Sequence, residues 1–346
     1  MASATTFATI HAPRLEWLAR AEPEPVLDPD LPIVDTHMHL WEHSGYAYFA
    51  EQYAQDVAEC GHRVEASVYV ECFHHYWTSG PEHLQYVGET EFAVAQARTA
   101  AADASPCRIA AGIVGHADLT LGRDRVEEVL RSHIDAGQGR FRGVRQLGKW
   151  DADPAVRGQY SASKEHLYLD PEFGRGLDVL TSLGLSFDAS LFHPQLRDVA
   201  ALARAHPDAN IVVIHCGSPV GHGAYAGRER ENFSEWLAGM RELARCPNVA
   251  VKLGGILINL ANFDFGAAPR PPTSRQLADL WRPYLESCIE LMGVRRCMVS
   301  SNFPVDKVGF GYGTAWNMFK HIAAGCSRDE KEALFSGTAR RVYRLE

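Results

Sequence analysis

The segment Ile33-Val34-Asp35-Thr36-His37-Met38-His39-Leu40-Trp41 is a short apolar run that ends in two histidines one residue apart, with an aromatic behind them. In an extended strand, residues i and i+2 point to the same face, so His37 and His39 project together from the strand's carboxyl end. Two imidazoles on one face can grip a metal ion or a substrate oxygen. Taken alone, the pair also reads as a hairpin edge with two solvated histidines, so its meaning depends on its surroundings.

Downstream of this segment, short β-branched runs alternate with helical stretches, the pattern of repeated βα units and a parallel sheet. Strands are expected at 32–35, 66–71, 109–114, 143–146, 186–189, 211–214, 249–253 and 296–300. Helices are expected at 81–101, 123–136, 173–183, 194–205, 233–246 and 276–292, with a closing helix at 328–335. In the fourth of these, Leu196, Val199, Ala200 and Ala203 recur at the spacing of a helix covering a sheet. Eight alternating units without a composition break predict an α/β fold: one closed (β/α)8 TIM barrel over 31–346, with long loops at its C-terminal face. Residues 1–30 read as an N-terminal extension, stiffened by Glu22-Pro23-Glu24-Pro25, where X-Pro steps disfavour helix.

The length of 346 residues suits a barrel of this kind with insertions. Apolar residues at 46% and charged residues at 22% exclude a disordered chain. A net charge of −9 with no Lys/Arg cluster argues against nucleic acid or anionic lipid and for a small-molecule partner, with homo-oligomerisation left open. The eight cysteines show no C-x-x-C spacing, so reduced thiols are expected. With no basic start before an apolar block and no run near ~18 apolar residues, the chain reads as soluble and cytoplasmic.

Active sites on this fold lie at the carboxyl ends of the strands. The residues there form one series: His37 and His39, Glu71, His116, Arg145 and Gln146, His193, His215, Lys252, and Ser301-Asn302. Arg145 offers a planar fork for a carboxylate or a lactone carbonyl. Lys252, facing inward, needs a partner; Glu71 could supply it, could pair with Arg145, or could orient His37 or His39. Aromatics in the loops, among them Trp41, Phe73, Trp77, Trp150, Tyr160, Tyr225 and Phe263, suggest walls around a cyclic substrate rather than a heavily hydroxylated sugar.

Asp35-Thr36-His37-Met38-His39-Leu40-Trp41 resembles the first-strand signature of the amidohydrolase superfamily, in the branch of sugar lactonases and 2-pyrone-4,6-dicarboxylate lactonase. Gly143-Val144-Arg145-Gln146, His193-Pro194-Gln195-Leu196, Ile214-His215-Cys216-Gly217-Ser218-Pro219, Val251-Lys252-Leu253-Gly254-Gly255 and Ser300-Ser301-Asn302-Phe303-Pro304-Val305 carry the resemblance onward. It implies hydrolysis of an ester or amide carbonyl in the barrel mouth. It also implies a divalent metal, zinc first among candidates, on His37, His39, His193 and His215.

One position departs from that pattern. Where the resemblance implies an aspartate ending the eighth strand, this chain has Asn302, and an amide is neither a general base nor a strong metal ligand. Metal-independent activity therefore stays open. The proton-handling groups are sought among His215, His39 and Asp306, and substrate contacts among Arg145, His193, Lys252 and Asn302. The expected reaction is the opening of a lactone or related cyclic ester. The alternatives are a decarboxylase or hydratase acting on a carboxylated small molecule, and a catalytically silent barrel.

Overall fold

The computed structural model describes residues 9–43, 45–102, 105–158 and 163–346. Eight parallel strands neighbour one another in chain order: β1 (Ile33–Met38), β2 (Val64–Val70), β3 (Arg108–Gly115), β4 (Phe141–Leu147), β5 (Ser186–Ser190), β6 (Asn210–Val213), β7 (Val249–Leu253) and β8 (Cys297–Val299). The ring is drawn together between β8 and β1, where Thr36 Oγ1 donates to Val299 O at 2.7 Å. Just beyond the strands, Asn302 N–H donates to His37 O at 2.9 Å and His39 N–H to Phe303 O at 2.8 Å. This is the (β/α)8 barrel that the alternating pattern predicts.

Each strand is followed by its covering helix: α1 (Ala50–Glu59), α2 (Val87–Ala102), α3 (Arg123–Ala136), α4 (Pro171–Ser182), α5 (Leu196–Ala205), α6 (Glu229–Ala244), α7 (Ser274–Met292) and α8 (Tyr312–Ile322). On α5, Leu196, Val199, Ala200 and Ala203 are buried, as their spacing requires. No helix among the described residues is long and apolar enough to cross a membrane.

Alternate residues of the strands face the lumen. Its lower part is apolar: Val34, Ala66, Val68, Val70, Val212, Ala250 and Met298 cluster with Val342, Tyr343 and Leu345 of the C-terminal segment. Two residues beyond Ala250, the lumen turns polar with Lys252. The pairing of β1 with β2 shifts register between Asp35 and Met38. That irregularity changes which residues face inward, so Val34 joins the apolar lumen while His37 and His39 both reach the mouth.

Several boundaries differ from expectation. β1 runs to Met38, so His37 lies inside a strand rather than after one. Helix α2 starts at Val87, behind the short turn Glu82–Leu84. The sequence reading omits α8 and also α1, whose buried face of Ala50, Tyr53 and Val57 is embedded in a mostly polar segment that hides the repeat. A two-stranded hairpin, Trp41–His43 with Tyr46–Tyr48, also lies between β1 and α1. The closing helix does not stop at 335: its turns widen over Ala333–Gly337 and resume as Thr338–Tyr343.

The described part of the extension packs on the barrel. Trp17 Nε1 donates to Ala268 O at 2.7 Å and Leu27 N–H to Asn317 Oδ1 at 2.9 Å.

Candidate active site

The end of β1 is anchored by Asp35, which is fully buried. It accepts from Ser301 N–H at 2.9 Å, from Ser301 Oγ at 2.6 Å, and from the Tyr53 and Tyr312 hydroxyls at 3.0 Å each. Burial pushes its carboxyl pKa up, and these donors pull the other way. The bonds tie β1 to the segment after β8 and set Asn302 beside the histidines.

His37 and His39 converge as their spacing requires, with their Nε2 atoms 3.2 Å apart. His39 Nδ1 lies 2.7 Å from Val70 O, which places its proton on Nδ1 and leaves an Nε2 lone pair facing His37. His37 Nδ1 is buried without a hydrogen-bond partner. The His215 ring packs 4.5 Å from that of His37, and its buried Nδ1 also has no partner. Burial, reinforced by neighbouring cationic groups, pulls the pKa of His37 and His215 well below normal and that of His39 down to about 3. All three are therefore neutral imidazoles near pH 7.

His215 owes its place to the glycine turn after β7. A Cβ on Gly255 would stand 1.8 Å from His215 Nδ1, and Gly255 has φ +66, so only glycine leaves room for the ring.

One cavity at the mouth is lined by His39, His215, Arg145, Asn302, Lys149 and Asn259, with Trp41 and Phe73 on its walls. Trp41 stacks on His39 with ring centroids 5.3 Å apart. Tyr160, also expected in the lining, lies outside the described residues. A second, larger cavity of 510 Å³, between the extension, α1 and α8, contains none of these histidines.

Arg145 is held from behind by Glu71: its Nε donates to Oε1 at 2.6 Å, and a terminal nitrogen donates to the Glu71 carbonyl. Lys252 takes a different partner from the one the sequence suggested. Its Nζ lies 2.7 Å from Asp188 Oδ2, both side chains are fully buried, and Tyr343 OH donates to the same carboxylate at 2.8 Å. Asp188 lies one layer below the mouth on β5, so this pair seals the floor rather than lining the cavity.

Asp306 stands behind Asn302, accepting from Asn302 Nδ2 at 2.9 Å. Burial raises its pKa to about 7. It does not pair with Lys307, whose Nζ lies 2.7 Å from Asp56 Oδ2. His116 Nδ1 is occupied by Arg145 O at 3.1 Å.

His193 is not in the cavity wall. Its Nδ1 accepts from Val220 N–H at 3.2 Å and its ring meets Tyr225 edge-on at 5.2 Å. The four-histidine metal set is thus not assembled: among the described residues, no three His, Cys, Asp or Glu side chains are placed to hold an ion. The His37–His39 spacing is near the ~3.3 Å between two nitrogens of a tetrahedral zinc site with 2.0–2.1 Å bonds. It equally suits an N–H···N hydrogen bond from His37 to His39. With Asn302 in place of a carboxylate, these residues supply two positions of a metal site and do not complete it.

The sequence pattern of a family described as "Amidohydrolase" matches residues 34–345. This chain belongs to that family. It is 34% identical over 234 residues to the uncharacterized protein y4mH of Sinorhizobium fredii, covering 68% of this chain and 70% of that one. It is 30% identical over 179 residues to an L-fucono-1,5-lactonase of Burkholderia multivorans, covering 51% of this chain and 57% of the lactonase. Among solved structures, an amidohydrolase of Burkholderia multivorans with bound zinc superposes with a TM-score of 0.68 at 24% identity, over 91% of this chain and 99% of that one.

The sequence reading missed Lys149, Asn259 and Asp188. Lys149 had a signal, since it follows Arg145 by four residues just past a strand end. Asp188 had a weaker one, an acid inside an otherwise apolar strand.

Proposed function

We propose that this amidohydrolase opens a lactone or a related cyclic ester. The reading is supported by one observation above all: a single cavity joins neutral imidazoles, His39 and His215, to a guanidinium, Arg145. Two lactonase-named relatives, the second 26% identical over 247 residues, point the same way.

In this mechanism Arg145, braced by Glu71, hydrogen-bonds the substrate carbonyl and stabilises the oxyanion that forms on it. The neutral His215 imidazole accepts a proton from water as the water oxygen bonds to the carbonyl carbon. When the ring C–O bond breaks, the imidazolium returns that proton to the leaving oxygen, and the product is a hydroxy acid. His39, oriented by Val70, and Asn302, oriented by Asp306, position the substrate. Asp306 is buried outside the cavity wall and acts on it through the Asn302 amide. Lys252 and His193 stabilise the barrel around the site. A divalent ion bound at His37 and His39 would polarise the carbonyl further; no step above depends on it.

A panel of lactones incubated with the purified enzyme, before and after chelation, tests the reading by proton release and loss of ring absorbance. Ring opening that survives chelation is the expected result. Release of carbon dioxide from a carboxylated substrate without ring opening would replace the lactonase reading with a decarboxylase.

A further inference from the structure

The cavity at the barrel mouth has a wall that does not come from the barrel. Ile10, on the N-terminal extension, lines it together with His39, Arg145 and His215. The family pattern begins at residue 34, so this wall lies outside it. The enclosed space is about 40 Å³, room for a few water molecules, whereas a small-molecule site usually offers ~300 Å³ or more. Seating a lactone ring therefore requires part of the wall to give way.

Most of the wall is held in place. His39 is bonded to Val70, Arg145 to Glu71 and Asn302 to Asp306, all at or just past strand ends. Phe73 is 53% exposed, but its neighbours are tied down: the Cys72 and His74 N–H groups donate to Glu89 Oε1 at 2.7 and 3.4 Å. Ile10 differs. It stands in a stretch without helix or strand, partly buried against the barrel core, four residues ahead of an anchor at Arg14. That anchor fixes the strap to the loop between β7 and α7. Arg14 donates to the Phe265 carbonyl and, at 3.4 Å, to that of Gly266, and its guanidinium lies 4.5 Å from the Trp17 ring. Ile258 and Asn259, on the same loop, line the cavity, so the strap is aligned over the mouth. Apolar packing is non-directional, and the Ile10 side chain can exchange its contacts for those of a substrate substituent.

We propose that Ile10 is a specificity residue: it forms the outer wall of the active site, yields to admit the substrate ring, and sets how large an apolar substituent that ring can carry. The inference rests on the cyclic-ester reading above for its substrates, and on the lining of the cavity for the wall. Alanine at this position removes the branched end of the wall and admits bulkier rings, whereas tryptophan shuts them out. Arg14→Ala frees the strap from the loop between β7 and α7 and acts in the same direction as Ile10→Ala.

The test compares δ-valerolactone with δ-nonalactone, the same ring carrying a butyl group, as substrates. Ile10→Ala should shift the kcat/KM ratio toward δ-nonalactone by about 10-fold or more, the lower end of the range for a methylene-sized change in an apolar pocket. Ile10→Trp should move the ratio the other way. Leu15→Ala, on the same strap but outside the lining of this cavity, should leave it unchanged. A ratio that is the same in wild type, Ile10→Ala and Ile10→Trp would overturn the proposal. If neither lactone is opened, the hydrolase reading fails separately, and thiol labelling decides the wall. Of the eight cysteines only Cys72, in the cavity lining, and Cys326, at the far end of α8, are not buried. Labelling by N-ethylmaleimide, followed by peptide mass spectrometry, gives the rate at Cys72 relative to that at Cys326. A higher ratio in Ile10→Ala than in wild type supports the wall; equal ratios overturn it.

Discussion

Two buried polar centres lie within a few residues of each other, and they are built on opposite principles. Around Asp35, four donors from Ser301, Tyr53 and Tyr312 reach one carboxylate, and Tyr53 and Tyr312 also bond each other at 2.8 Å. Around His37 and His215, two ring nitrogens have no partner. A saturated network rigidifies; an unsaturated one holds groups ready for something that arrives. The first centre closes the barrel, and the second is where its chemistry is proposed.

The comparison can be broken from the mouth side first. His215→Ala should lower kcat/KM on the best lactone by roughly 100- to 10,000-fold, the range of a lost general base. Its melting temperature should match or exceed that of wild type, because a buried unpartnered imidazole is removed. A variant that unfolds while wild-type rates persist in its folded fraction would make His215 a structural group.

Asp35→Ala tests the other side. It removes the acceptor shared by Ser301, Tyr53 and Tyr312, leaving the two tyrosine hydroxyls only each other in the core, and should cost about 3–5 kcal/mol in denaturant unfolding. An unchanged unfolding midpoint would show that the closure does not depend on this carboxylate.

The smallest effect sharpens the contrast through pH. His37, His39 and His215 have folded pKa values below the unfolded 6.5, burial being the main cause in each. The stability they contribute is complete above pH 6.5 and falls as pH drops below it, by about 1.4 kcal/mol per unit for each histidine that stays neutral. Unfolding free energies at pH 7 and pH 5 should differ less in His215→Ala than in wild type. Equal slopes would mean that the His215 ring already protonates as freely as in the unfolded chain.

How much of this was readable beforehand differs element by element. Strands β2 and β7 announced themselves by β-branched runs bounded by turn signals, and α5 by its apolar repeat. Helix α1 did not, because only three of its ten residues are buried against the barrel. The His37–His39 pair could be placed at a strand end from spacing alone. That His193 turns away toward Val220 and Tyr225 could not, since a histidine before a proline at a helix start looks the same in sequence whichever way its ring points.

The sequence by itself determined the order of βα units, and with it which residues stand at strand ends, because hydrophobic periodicity and turn chemistry are local properties. The partners were decided only by the tertiary structure: Glu71 with Arg145, Asp188 with Lys252, Asn302 with Asp306, and Lys149 turned into the cavity beside Arg145. The pairings of Arg145 and Lys252 depend on strand register, which brings together side chains as far as 74 residues apart. No local pattern encodes such distances, so the chemistry of the mouth became legible only once the barrel had closed.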